Sequence, residues 1–220
     1  MFRNAISLVI LLLLVSTSAL ADGNKVETVG AFKDTAASDS VRAALEPAGF
    51  KISLPDGAEV CQIWLRKDLP DYPVTDAQGA ILTQLGNSSL IGVIEFPKNT
   101  TDYRGQVIKA GEYTLRYADD PADGNHLGVA PNRDFLLMVP ISVDKDAAAK
   151  IKFEDLVKLS AQSAGTNHPA GLSLLSAEGQ KTFPAAISDD SGHVILAAKL
   201  KTSSGAQLPF ELIVKGVADQ

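Results

Sequence analysis

The sequence predicts a mainly β protein, an antiparallel β-sandwich of jelly-roll-like character with roughly nine strands and one or two short helices. Three observations predict it. Short runs rich in Val, Ile, Leu and aromatic residues recur from Phe50 onward, with Gly, Pro, Asn, Asp or Ser between them. That spacing suits strands joined by tight turns. Only one later segment, around residues 153–164, carries a sustained helical period. Strand and helix units do not alternate, which excludes a doubly wound parallel sheet.

The chain opens with Arg3, an apolar run from Ala5 to Val15 and the small-residue stretch Ala19-Leu20-Ala21. This is the pattern of a secretory signal peptide cleaved before Asp22, because the apolar run falls short of the ~20 residues that span a bilayer. Residues 1–21 are therefore read as a signal, and the protein as exported, to the periplasm or beyond. Residues 22–48 read as a polar, flexible leader with one short helix. Ser38 or Asp39 would cap that helix, and Pro47 with Gly49 would end it.

Residues 49–220 read as one β domain. The run FKISL precedes the turn Pro55-Asp56-Gly57, and AEVCQIWL follows with alternating character. AILTQL and SLIGVIEF flank Gly86-Asn87-Ser88-Ser89, a hairpin-type connection. GEYTLRYA places Tyr113, Leu115 and Tyr117 on one face of a strand. DFLLMVPISV is a continuous apolar run, which predicts a central strand bending at Pro140. KFEDLVKLSAQSAG places Phe153, Leu156 and Val157 on one helical face, with Gly165 as the stop. HVILAAKLK and AQLPFELIV are joined by Thr202-Ser203-Ser204-Gly205, a second hairpin signal, and Pro209 points to an edge or a bulge in the last strand.

The formal charge is −6, and becomes −7 once Arg3 leaves with the signal. An acidic chain without a basic stripe excludes nucleic acid as a partner. After the signal no segment has the ~18 consecutive apolar residues of a membrane helix. Cys61 is the only cysteine, so there is no internal disulfide and stability must come from packing; its alternating context predicts a buried strand position.

The stretch GQVIKAGEYTLRY, with Gly105, Ile108, Ala110, Gly111, Tyr113 and Leu115 in a G-x-x-[VIL]-x-A-G-x-Y-x-[LI] pattern, resembles a signature of exported bacterial β-sandwich proteins classed as a domain of unknown function. The resemblance covers about a third of the chain and implies a sandwich and export. It carries no activity and names no catalytic residue.

No complete catalytic motif is present. The stretch around Ser173 lacks the second glycine of G-x-S-x-G, and neither phosphate-binding glycine pattern occurs. The chain is accordingly read as a module that binds a ligand or an envelope partner through its end loops rather than as an enzyme. Candidate ligand-binding residues are Arg133, whose fork would grip an anion, Asp134, and Trp64 as a stacking platform. The alternative is a metal-binding protein or metal-dependent enzyme. His126 and His168 each follow an asparagine in a glycine-containing loop and would ligate with Asp123 as an oxygen donor. Against it, the three histidines lack the H-x-H or H-x-x-x-H spacing of a local site. Aspartates and asparagines of 119–125 equally suit a solvated turn.

Overall fold

The computed structural model of the protein describes residues 23–74, 79–119 and 132–218. The proposed signal sequence lies outside them. Strand β1 (Lys25–Val29) pairs antiparallel with β2 (Gly49–Ser53). The stretch read as a flexible leader is thus part of the sheet. Its Val-x-x-Val pattern was too polar to announce a strand, and pairing with β2 supplies the backbone partners that propensity does not.

Helix α1 (Asp39–Ala44) follows, capped at Ser38, whose hydroxyl accepts from Val41 N at 3.1 Å. It stops two residues short of Pro47, as the disfavoured helical geometry before proline requires. β3 (Glu59–Leu65) pairs with β2 through the Pro55–Gly57 turn, where Gly57 adopts φ +86°. β4 (Leu90–Phe96), the small hairpin β5 (Thr100–Thr101) and β6 (Val107–Ile108), β7 (Gly111–Asp119) and β8 (Asp134–Pro140) come next. Then follow α2 (Phe153–Ala164), β9 (Gly171–Leu175), β10 (Ala185–Ser188), β11 (Val194–Lys201) and β12 (Gln207–Lys215).

Ten strands form one antiparallel sheet in the order β1-β2-β3-β4-β7-β8-β9-β12-β11-β10. It runs as a meander to β9, and the last three strands return as a Greek key beside it. The sheet curls until its edges meet: Asn24 Nδ2 donates to Ile187 O at 3.2 Å and to Ser188 Oγ at 2.8 Å. This near-closure covers edges that would otherwise invite pairing with other chains. Inside lies the main core, with Ile52, Cys61, Ile63, Leu115, Met138, Leu196 and Phe210 among its members. Pro209 sits on an internal strand, but β12 pairs with β9 only at Glu211 and Leu212, so the missing N–H costs no ladder bond on that side.

The outer face is covered twice. Helix α2 lays Leu156 against Phe135, Leu137 and Val139, which explains why β8 is apolar at every position after Asp134: both of its faces are packed. Gly165 ends α2 at φ +64°. Helix α1 and residues 30–37 cover β3 and β4, burying Val41, Phe32, Trp64 and Val93.

One expected hairpin is absent. AILTQL is a series of turns, with Leu85 N bonded to Leu82 O, and Leu82 and Leu85 still enter the core. The backbone N–H groups of Ile81 and Leu82 are taken by the Asp134 carboxylate at 2.9 and 2.7 Å, in place of a neighbouring strand.

The most heavily bonded group is also the least expected. Arg116 on β7 is fully buried and forms a bidentate pair with Asp144, Nε to Oδ2 at 2.6 Å and Nη2 to Oδ1 at 2.7 Å. Its remaining N–H groups donate to Ser88 O at 2.6 Å, Asp146 O at 2.6 Å and Ala149 O at 3.3 Å. Thr114 Oγ1 adds a 2.6 Å bond to Asp144 Oδ2. Every donor of the guanidinium is used, the condition under which a buried charge is tolerated. Asp144→Ala should therefore cost about 3–5 kcal/mol in urea unfolding, by stranding the cation. Asp144→Asn keeps one acceptor and should cost less; equal stability of both variants and the parent would refute the role.

Candidate functional site

On the outer face of β3, β4 and β7 the register sets Gln62 opposite Glu95, and Glu95 opposite Glu112. Residues 30–37 cross above this row on their way from β1 to α1. Three contacts fix that crossing. Trp64 Nε1 donates to Gly30 O at 2.8 Å, Phe32 meets the indole edge-on at 5.0 Å between centroids, and the Arg42 guanidinium donates to Asp34 O at 3.3 Å and to Ala37 O. Beneath the crossing is a groove of about 480 Å³, lined by Asp34, Gln62, Glu95, Glu112 and Lys33. A second hollow, of about 560 Å³, lies toward Tyr113, Ile141 and Gln162 and shares Glu112 with the first.

The groove is electrostatically frustrated. Directly opposed carboxylates on neighbouring strands repel one another. Partial burial raises the Glu112 pKa, aided by the hydrogen bond and negative charge of Asp34 and then by Glu95. Burial likewise raises Glu95, with Glu59 and Asp34 adding to it. Among the described residues, none of Asp34, Glu95 and Glu112 has a Lys or Arg nitrogen within 4 Å. Lys33 borders the groove but makes no such pair. The arrangement can accept hydrogen bonds from an organic cation such as an ammonium or guanidinium group.

The residues expected from sequence are distributed differently. Trp64 is 4 % exposed, its N–H is used and Phe32 closes its edge, so it is a core anchor rather than a stacking platform. Its indole also explains Gly49, where a Cβ would lie 2.6 Å from the ring, whereas Gly92 answers to the neighbouring backbone, since a Cβ there would lie 2.3 Å from the Trp64 carbonyl oxygen. Asp134 is fully buried and spent on the 81–82 backbone, with Tyr117 Oη also bonded to it at 3.3 Å, so it is not available to a ligand. Arg133 is half-buried and lies 3.6 Å from Asp119 Oδ1. His168 is exposed, in a turn held by Thr166, whose hydroxyl accepts from His168 N. His126 and Asp123 lie outside the described residues. Among the described residues no group of three His, Cys, Asp or Glu side chains is placed to hold a metal ion. Cys61 is buried, and burial pushes its thiol pKa far up, which suits packing rather than nucleophilic chemistry.

Strand alternation alone would have turned Glu95 and Glu112 outward. What it did not carry was the register that makes them neighbours, nor the crossing that brings Asp34 over them.

The raised pKa values have a direct consequence. A carboxyl whose folded pKa exceeds its ordinary value of 4.5 favours folding while protonated, and that benefit is lost as pH rises through the folded pKa. Glu112→Gln keeps a donor toward Asp34 without the charge. It should raise stability at neutral pH by about 0.2–1 kcal/mol, with the gain shrinking as pH falls through the raised folded pKa and lost by about the ordinary value of 4.5. A pH-independent effect in urea unfolding would contradict the repulsion. Comparison of the chain with family models, with curated proteins and with solved structures gave no match, so the site is read from its own geometry.

Proposed function

We propose that the protein is an exported binding module that takes a cationic ligand, one bearing an ammonium or guanidinium group, into the groove at Asp34, Glu95 and Glu112. The observation that carries this reading is the convergence of three carboxyls without a basic partner on one hollow, at a cost in stability. Proteins violate local electrostatic rules mainly where function requires it. Export is supported by the signal-like pattern of residues 1–21.

Glu95 and Glu112 are lateral neighbours on adjacent strands, with Cβ atoms ~5 Å apart, close enough for both carboxyls to meet one cationic group. The metal alternative at His126, His168 and Asp123 rests on sequence alone.

Spermidine titrated calorimetrically at low ionic strength tests the proposal. Saturable one-to-one binding is expected at neutral pH, weakened at least about tenfold by Glu95→Gln/Glu112→Gln and at pH 4, where Glu95 and Glu112, with their raised pKa values, take up protons. Unchanged binding by the double variant, or no binding at millimolar spermidine, would overturn it.

A further inference from the structure

His193 lies immediately before β11 and is 6 % exposed, yet both of its ring nitrogens face oxygen. Nδ1 lies 2.6 Å from Asp189 Oδ2, in the turn after β10, and Nε2 lies 2.9 Å from the carbonyl oxygen of Val217, beyond β12. A carboxylate and a carbonyl both accept. A neutral imidazole has one N–H, so it can satisfy one of them and must turn a lone pair on the other. Only the doubly protonated ring bonds both.

The surroundings are built around this ring. Asp189 also accepts from His193 N at 2.9 Å, fixing the carboxylate in place. Gly216 has φ +141°, and a Cβ there would fall 2.0 Å from His193 Cδ2, so the C-terminal segment lies flat on the imidazole only because residue 216 is glycine. From the other side, the Tyr103 ring stands 5.9 Å away, and Tyr103 O accepts from Ala218 N at 2.8 Å. Other charged groups of the elements packed here are Lys215 on β12, Arg104 beside Tyr103 and Asp190 in the His193 turn, all exposed, and the buried Asp102 of the β5–β6 turn, whose carboxylate accepts from Arg104 N, Gln106 N and Gln106 Nε2.

We infer that His193 is a pH-sensitive latch: as an imidazolium it ties the Gly216–Ala218 segment into the seam between the β10–β11 and β5–β6 turns, and on losing a proton it releases that segment. The proton lost is the one on Nε2. The Nδ1 proton stays with the anionic Asp189, the stronger acceptor, and the Val217 carbonyl is left facing a lone pair. The depressed pKa of Asp189, against the opposing effect of its burial and through its bonds to His193, is consistent with this pairing. The sign follows. A histidine held protonated contributes its full stabilisation below its free pKa of about 6.5 and loses it as pH rises through the higher folded value. The latch is therefore closed in acid and opens toward alkaline pH, while Ile195 to Leu200 keep the sheet intact through their pairing with β12.

The test is a nitrogen-15 imidazole titration of the full folded chain, read alongside amide hydrogen exchange at Ala218. At pH 6 His193 should show two protonated ring nitrogens, and it should titrate above the ordinary histidine value of about 6.5. Corrected for base catalysis, Ala218 opening should rise about tenfold per pH unit above about 6.5 until His193 has titrated. Amides inside β11 should not follow it. Gly216→Ala should abolish Ala218 protection at every pH. A neutral single-tautomer His193 at pH 6, or Ala218 protection that ignores the His193 titration, would overturn the latch.

Discussion

The Arg116–Asp144 pair is the constraint on which the rest of the outer face depends. A buried charge pair is poor as a source of net stability, because desolvation offsets attraction. Its value here is positional. One guanidinium reaches Ser88 before β4, Asp144 and Asp146 after β8, and Ala149 before α2. Each of these segments is then linked onward. Ser88, at φ +66°, donates its backbone N–H to Tyr117 O, and its hydroxyl accepts from Ile151 N at 2.9 Å at the approach to α2. Ser40 of α1 joins Asp146 and Ala147 through its hydroxyl. Both helices are thus referenced to a single side chain of the sheet.

This arrangement also sets the candidate site. Ile141, at the start of the tied segment, forms part of the wall beside Glu112, and its N–H bonds Glu112 O at 3.2 Å. The crossing at residues 30–37 leads into α1, which the Ser40 bonds hold in place. Repulsion among Asp34, Glu95 and Glu112 works to lift that crossing. It amounts to a fraction of a kcal/mol per opposed pair, whereas burying Phe32 and Trp64 is worth about 1.5–3 kcal/mol for each side chain. Packing wins, and the carboxyls stay gathered.

Most strands were legible because their positions obey a period. Tyr113, Leu115 and Tyr117 share the inner face as alternation requires, and the unbroken apolar run of β8 reflected cover on both sides. Gly165, Ser38 and the Thr202–Gly205 turn announced themselves through backbone chemistry that few other residues supply. What escaped was whatever depends on a distant partner. Arg116 occupies a position that alternation assigns to solvent, and only Asp144, 28 residues on, makes its burial tolerable. β1 needs β2, AILTQL needs Asp134, and the acidic groove needs three strands in register. His193 was legible only as the start of a strand, since its partners come from Asp189 and the far C-terminal segment.

Native-state hydrogen exchange in low urea tests the positional role of Arg116 most directly, read at the amides of Ala147 and Ile151, which bond Ser40 and Ser88. If the buried pair locks this segment to the sheet, both amides exchange only through global unfolding, with the same urea dependence as the amides of β7 and β8. Exchange through a local opening of low free energy, independent of urea while β7 stays protected, would show that the segment is held by something other than Arg116.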